Sequence, residues 1–84
     1  MDHYQKLLKH ILMRKGDANV PFGGLCHLLR HLGFDERIRG DHHIFSRNGI
    51  DEILNLQPVG TKAKSYQVKQ VRDLILRYDL RIED

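Results

Sequence analysis

The chain carries six histidines, and imidazole is the side chain that exchanges protons most readily near neutral pH. Two of them, His42 and His43, open the stretch His42-His43-Ile44-Phe45-Ser46, which reads as a strand. Successive strand side chains point to opposite faces. With Ile44 as the inward residue, His42 shares its face and is expected in the core or at its edge. His43 and Phe45 then point to the other, open face. An imidazole there can take the proton from a ribose 2′-hydroxyl, whose oxygen attacks the adjacent phosphorus. As imidazolium it can protonate the departing oxygen. His43 is therefore the candidate catalytic residue, and RNA cleavage the candidate chemistry. Taken alone, an exposed strand histidine is more often an ordinary surface residue.

Cations and an aromatic ring extend this reading. Phe45 either stacks on an unpaired base or packs under the N-terminal segment or a partner. Lys62 and Lys64 precede the last helix, close to its N-terminus, and Lys69, Arg72 and Arg77 decorate it. Lys69 and Arg72 are three apart and are expected to share a face. Phe45, Arg47, Lys62, Lys64, Lys69 and Arg72 form the candidate RNA-binding set, with backbone amides at the helix start assisting. An ordinary solvated face is the alternative.

Other arrangements point to less. His27 and His31 stand at i and i+4 on a helix, a possible metal-ligand spacing. The glutamate that zinc proteases carry after the first histidine is missing, and no acidic third ligand is evident nearby. A solvated flank beside a leucine stripe is the expectation, with no metal and no cofactor. Cys26 is expected to pack at a core edge, since nothing in the sequence around it suggests an activated thiolate. No glycine-rich nucleotide motif and no Ser/His/Asp arrangement stands out.

The elements that position these residues follow from periodicity. Tyr4, Leu7, Leu8, Ile11 and Leu12 make an amphipathic helix, which Gly16 stops. Phe22, Leu25, Leu28, Leu29 and Leu32 form the stripe of a second helix, with Gly33 at its C-terminal cap. The period then changes to two. Phe34 to Arg39 reads as a strand, Gly40-Asp41 as a tight turn, and His42 to Ser46 as a second strand. Asn48-Gly49 signals another hairpin. Glu52 to Gln57 is a third strand, with Leu54 and Leu56 on one face. Residues 58–65 read as a polar loop, and a last helix spans Tyr66 to Tyr78 on Val68, Val71, Leu74, Ile75 and Tyr78. The expected architecture is α+β, in the order α-α-β-β-β-α, with a three-stranded antiparallel meander and helices on one face.

Composition sets the outer bounds. At 84 residues the chain is one small domain, and 40% hydrophobic residues suffice for a packed core. The formal net charge of +3 favours an anionic partner, though weakly. A single cysteine excludes an internal disulfide, which fits a reducing, cytoplasmic setting. No secretory signal is visible, since Lys9 and His10 interrupt the apolar residues of the first helix, and no run approaches membrane-spanning length.

The stretch Gly40-Asp41-His42-His43-Ile44-Phe45 resembles the Gly-Ser-His-His-x-Phe motif of HicA (YcfA-like) toxins. The surroundings agree. Leu32-Gly33-Phe34 precedes it, and Ile53-Leu54-Asn55-Leu56-Gln57 follows, then a Gly- and Lys-containing loop and a terminal helix. The resemblance covers about residues 22–80. It implies a fold like the double-stranded-RNA-binding domain, an mRNA interferase activity in a type II toxin-antitoxin system, and a HicB-type antitoxin as partner. The family's catalytic histidine is the second of the pair, which falls on His43. Two departures stand out. Asp41 replaces the motif's serine, where a carboxylate can orient a histidine or repel phosphate. Residues 1–20 form a helical extension before the toxin domain of residues 21–84; it can pad the core, mediate self-association or cover part of the RNA face. A non-catalytic RNA-binding module and a degenerate toxin that binds only its antitoxin are the alternatives.

Overall fold

The computed structural model describes residues 3–82. Helix α1 (His3–Leu12) is followed by a 3-10 turn (Asp17–Asn19) and helix α2 (Phe22–His31). Strands β1 (Asp35–Arg39), β2 (His42–Arg47) and β3 (Ile50–Leu56) come next, then β4 (Pro58–Val59), β5 (Lys62–Ala63) and helix α3 (Ser65–Tyr78). Strands β1, β2 and β3 form an antiparallel meander in that order. The expected α+β class and element order are therefore present.

Residues 58–65 are not simply a loop. Strands β4 and β5 pair as a separate ribbon. Its anchors are distant in sequence: the Phe22 amide donates to the Thr61 carbonyl at 2.9 Å, and the Ala63 amide to the Val20 carbonyl at 2.9 Å. Two-residue strands are too short to show a period, and their pairing with the segment before α2 is non-local.

The core lies between the sheet and the helices. Leu25, Leu28, Leu29 and Leu32 enter from the α2 side, and Val68, Val71, Leu74 and Ile75 from α3. The sheet contributes Phe45, Leu54 and Leu56. Cross-strand register makes these three consistent, since Phe45 lies opposite Leu54 and His43 opposite Leu56. Here the expected strand phase is reversed. Phe45 is 0% exposed, whereas Ile44 is only half-buried and His42 is exposed on the open face with Arg37 and Arg39. Both Ile44 and Phe45 are apolar, but the larger aromatic surface gains more by leaving water, and only its phase matches the leucines of β3. His43, on the Phe45 side, therefore faces the helices.

Two residues permit close local geometry. Gly40 has φ 60° at the first position of the two-residue turn between β1 and β2, a conformation that favours glycine. Gly24, on α2, faces α1, and a Cβ there would stand 3.3 Å from the Leu7 side chain.

The N-terminal helix pads the core. Ile11 is 0% exposed, and Tyr4, Leu7 and Leu8 pack against the same cluster. Tyr4 also stacks on His31 at 3.8 Å between ring centroids. Arg72 closes the other side, where its Nη1 donates to Asp17 Oδ1 at 3.0 Å and to the Ile11 carbonyl at 3.3 Å. Among the described residues no helix is long and apolar enough to cross a membrane.

A buried and an exposed Phe45 differ in consequence. Phe45→Ala is expected to cost about 3–5 kcal/mol, as for a core aromatic, where a surface change stays within about 0.5 kcal/mol. The shift in the urea midpoint, with its slope, measures it.

Candidate active site

The site is built at the turn end of the first hairpin. The turn pairs Arg39 with His42, so Ile38 lies opposite His43 and Glu36 opposite Phe45. Directly opposed residues share a face, which puts Glu36 diagonal to His43. Its Oε2 lies 2.7 Å from His43 Nδ1. A carboxylate only accepts hydrogen bonds, so Nδ1 is the donor. In the neutral imidazole the lone pair then sits on Nε2, which has no hydrogen-bond partner among the described residues. The His43 side chain is 23% exposed and Glu36 12%, so the pair is half-sheltered. Phe22, at the start of α2, meets the imidazole edge-on, with centroids 4.9 Å apart.

Glu36 is shared. Its other oxygen, Oε1, accepts from Arg30 Nη1 on α2. Burial alone would raise the Glu36 pKa, but the His43 hydrogen bond and the Arg30 guanidinium outweigh it and hold the carboxyl below its ordinary value. Cys26, one turn before Arg30, completes the cluster. Burial, then the Glu36 carboxylate, push its thiol up to about 11, with Arg30 partly opposing. The thiol is therefore protonated at neutral pH, and an activated nucleophile is absent there.

The other expected residues divide. Phe45 lies in the core and does not present its ring to a base, because its phase faces the helices. Arg72 is 5% exposed and paired with Asp17, so it does not share a solvent-facing track with exposed Lys69. Its chain position is three residues on from Lys69, but that rotation turns it under the 3-10 segment. Arg47 is half-buried and donates to the Leu32 carbonyl at 2.7 Å. It stands four residues from His43 along β2, roughly 13 Å at strand rise.

Lys62 and Lys64 lie near the site. Lys62 bridges to Pro21, the neighbour of Phe22, and its Nζ donates to Asn19 Oδ1 at 3.2 Å. Lys64 Nζ donates to Gln57 Oε1 at 3.4 Å, and Gln57 Nε2 donates to Asp41 Oδ2 at 2.7 Å. Asp41 thus engages Gln57, with the ammonium of Lys64 behind it. The Gln57 hydrogen bond, aided by His42 and Lys64, keeps the exposed Asp41 carboxyl below its ordinary value. The carboxylate that orients His43 is Glu36. His42 donates instead toward Asn55 Oδ1, with 3.0 Å between the atoms.

Three contributors escaped the sequence reading. Glu36 becomes visible once the two-residue turn sets the register and Phe45 is placed inward. Arg30 shows no such signal, since its partner lies across the α2–β1 corner. Tyr66 is 58% exposed, and Lys64 Nζ stands 5.9 Å from its ring centre. This exposed ring is available for base stacking, one of the two readings of Phe45. The histidines at i and i+4 on α2 have a structural use: His31 Nδ1 lies 2.8 Å from the His27 carbonyl, under the Tyr4 ring.

The lowered Glu36 pKa has a defined sign. A carboxyl more acidic in the folded than in the unfolded state stabilises above its unfolded pKa, and this contribution is lost as pH falls through the folded value. Wild type is therefore expected to lose more stability than Glu36→Gln on acidification from pH 6 through the ordinary glutamate value of 4.5 and below. Urea titrations of both proteins across that window measure the converging difference. Parallel curves would remove Glu36 from the account of acid sensitivity.

Comparison with known proteins finds no matching family model, curated protein or solved structure.

Proposed function

We propose that the protein is a metal-independent endoribonuclease of the HicA toxin type, with His43 as its general base and Glu36 as the carboxylate that orients it. The observation that carries this reading is the 2.7 Å contact between His43 Nδ1 and Glu36 Oε2, which leaves Nε2 as the basic nitrogen, without a hydrogen-bond partner among the described residues. Nε2 takes the proton of a ribose 2′-hydroxyl. The 2′-oxygen attacks the adjacent phosphorus, the 5′-oxygen leaves, and a 2′,3′-cyclic phosphate remains. The imidazolium, hydrogen-bonded to Glu36, can return its proton to the leaving oxygen.

The surroundings support RNA as substrate. Lys62 and Lys69 are exposed and Lys64 half-buried, all in or near the β5–α3 corner, where a phosphate backbone gains from positive charge. Tyr66 offers a ring for a base. The order α2-β1-β2-β3-α3 agrees with the helix, three strands, helix of the double-stranded-RNA-binding-like fold that the HicA resemblance implies, beside α1 and the β4–β5 ribbon. Messenger RNA as target places the activity in the cytoplasm, and a HicB-type antitoxin is the partner that would silence it. DNA is excluded as substrate, because the mechanism begins at the 2′-hydroxyl.

The test is cleavage of unstructured RNA in excess EDTA by wild type, His43→Ala and His42→Ala. Wild type and His42→Ala are expected to cut, leaving cyclic phosphate ends. His43→Ala should lose about a hundredfold to ten-thousandfold in rate, the contribution of a positioned general base. Folded wild type that binds RNA and leaves it intact would reduce the protein to a non-catalytic RNA-binding module.

The cations predict a separate result. Lys62→Ala and Lys69→Ala should each lower the slope of log affinity against log salt by about 0.7, the value for one phosphate contact on a single strand. Unchanged slopes, measured by fluorescence anisotropy, would move the nucleic-acid track elsewhere.

A further inference from the structure

Three elements bring different metal-ligand atoms to one point. Cys26 comes from α2, Glu36 from β1 and His43 from β2. Their sulfur, oxygen and nitrogen ligand atoms all lie within 4.8 Å of one another. Cys26 is buried, and the other two side chains are 12% and 23% exposed, so the point is sheltered but open on one side.

We propose that Cys26, Glu36 and His43 form a three-ligand site for a borderline-soft divalent cation, zinc above all, whose occupation silences His43. Thiolate, carboxylate and imidazole are the donors zinc takes, and three protein ligands leave a fourth tetrahedral position for water on the open side. A thiolate and a carboxylate neutralise the two charges of the ion. Arg30 supplies the outer-shell contact that ligating carboxylates ordinarily have: it holds Glu36 Oε1, while Oε2 is the oxygen turned to His43. The ion displaces the Cys26 thiol proton into solvent, as cations of this class do. No electron changes hands.

The effect on His43 follows from its tautomer. The nitrogen turned to Glu36 is Nδ1. With the ion on Nδ1, the imidazole proton resides on Nε2, which can no longer accept a proton from a 2′-hydroxyl. This consequence rests on the nuclease reading. The metal site itself does not, because it needs only the three side chains.

The experiment titrates reduced, metal-free wild type with Co²⁺ and then Zn²⁺, following absorbance. One ion per chain is expected, with an ultraviolet thiolate-to-cobalt band and the visible bands of a tetrahedral ion, both removed by Zn²⁺. Cys26→Ala, Cys26→Ser and His43→Ala, each checked for folding by circular dichroism, should lose the bands. The double variant His27→Ala/His31→Ala should keep them. A folded, reduced wild type that shows only hydrated cobalt overturns the proposal. So do bands that survive the Cys26 substitutions or vanish with the α2 histidines. RNA cleavage is then measured with and without stoichiometric Zn²⁺. Wild type should fall by about a hundredfold, the lower end of a general base's contribution, and recover in EDTA. Cys26→Ala should be insensitive to the ion. Cleavage by wild type that is unchanged with zinc bound overturns the silencing. A chain that cuts no RNA under any condition defeats the nuclease reading, while the cobalt spectra still decide the metal site.

Discussion

The burial of Phe45 sets the phase of the whole sheet. Alternation is strict in a strand, so one inward residue determines the direction of its neighbours on both sides. With Phe45 inward, Leu54 and Leu56 follow on β3 and Glu36 on β1. His43 is carried to the helix side in the same step. A phase shifted by one residue would leave Phe45, Leu54 and Leu56 in water and bury Ile44, Ile53 and charged Arg37. The shift would exchange three large apolar side chains for two isoleucines and would bury Arg37, Arg39 and His42 with them, so the observed phase wins.

The same constraint creates the chemistry of the site. A histidine on the open face would stand beside Arg37 and Arg39, as His42 does. On the helix side it meets a carboxylate that the adjacent strand must also place inward. Glu36 is tolerable there because two positive or hydrogen-bonding partners, Arg30 and His43, compensate for its loss of water. The carboxylate in turn holds the imidazole in one tautomer and discourages ionisation of Cys26. One acidic side chain thus determines what two neighbours can do.

The packing of α1 and of the 3-10 turn gives Arg72 a role unlike the one its composition suggests. A guanidinium on a helix beside Lys69 invites a phosphate contact. The Asp17 carboxylate and the Ile11 carbonyl take it first. The N-terminal helix and the 3-10 turn therefore do more than add Ile11 to a small core: they draw a cation from the surface into the fold. Lys62 on β5 and Lys69 on α3 stay exposed, as do Arg37 and Arg39 on the open sheet face. Of these, Lys62 bridges to Pro21, the neighbour of the Phe22 ring that meets His43.

Local pattern was enough for the helices, the first two turns of the meander and the α+β order, because helix and strand periods are carried by contiguous residues. The two-residue turn Gly40-Asp41 even specified which residues of β1 and β2 face one another. Strand alternation singled out His43 on a phase that the structure reverses, and the resemblance pointed to the same position. Local pattern gave the wrong phase for β2, with Ile44 inward, since Ile44 and Phe45 are adjacent and both apolar. That choice depends on Leu54 and Leu56, reached only through the second hairpin. The burial of Arg72, the ribbon of residues 58–63, and the meeting of Arg30, Glu36 and Cys26 around His43 depend on partners distant in sequence or on separate elements. Such contacts form when the chain closes on its core, so tertiary structure alone decided which charges remain in solvent and which hold the histidine.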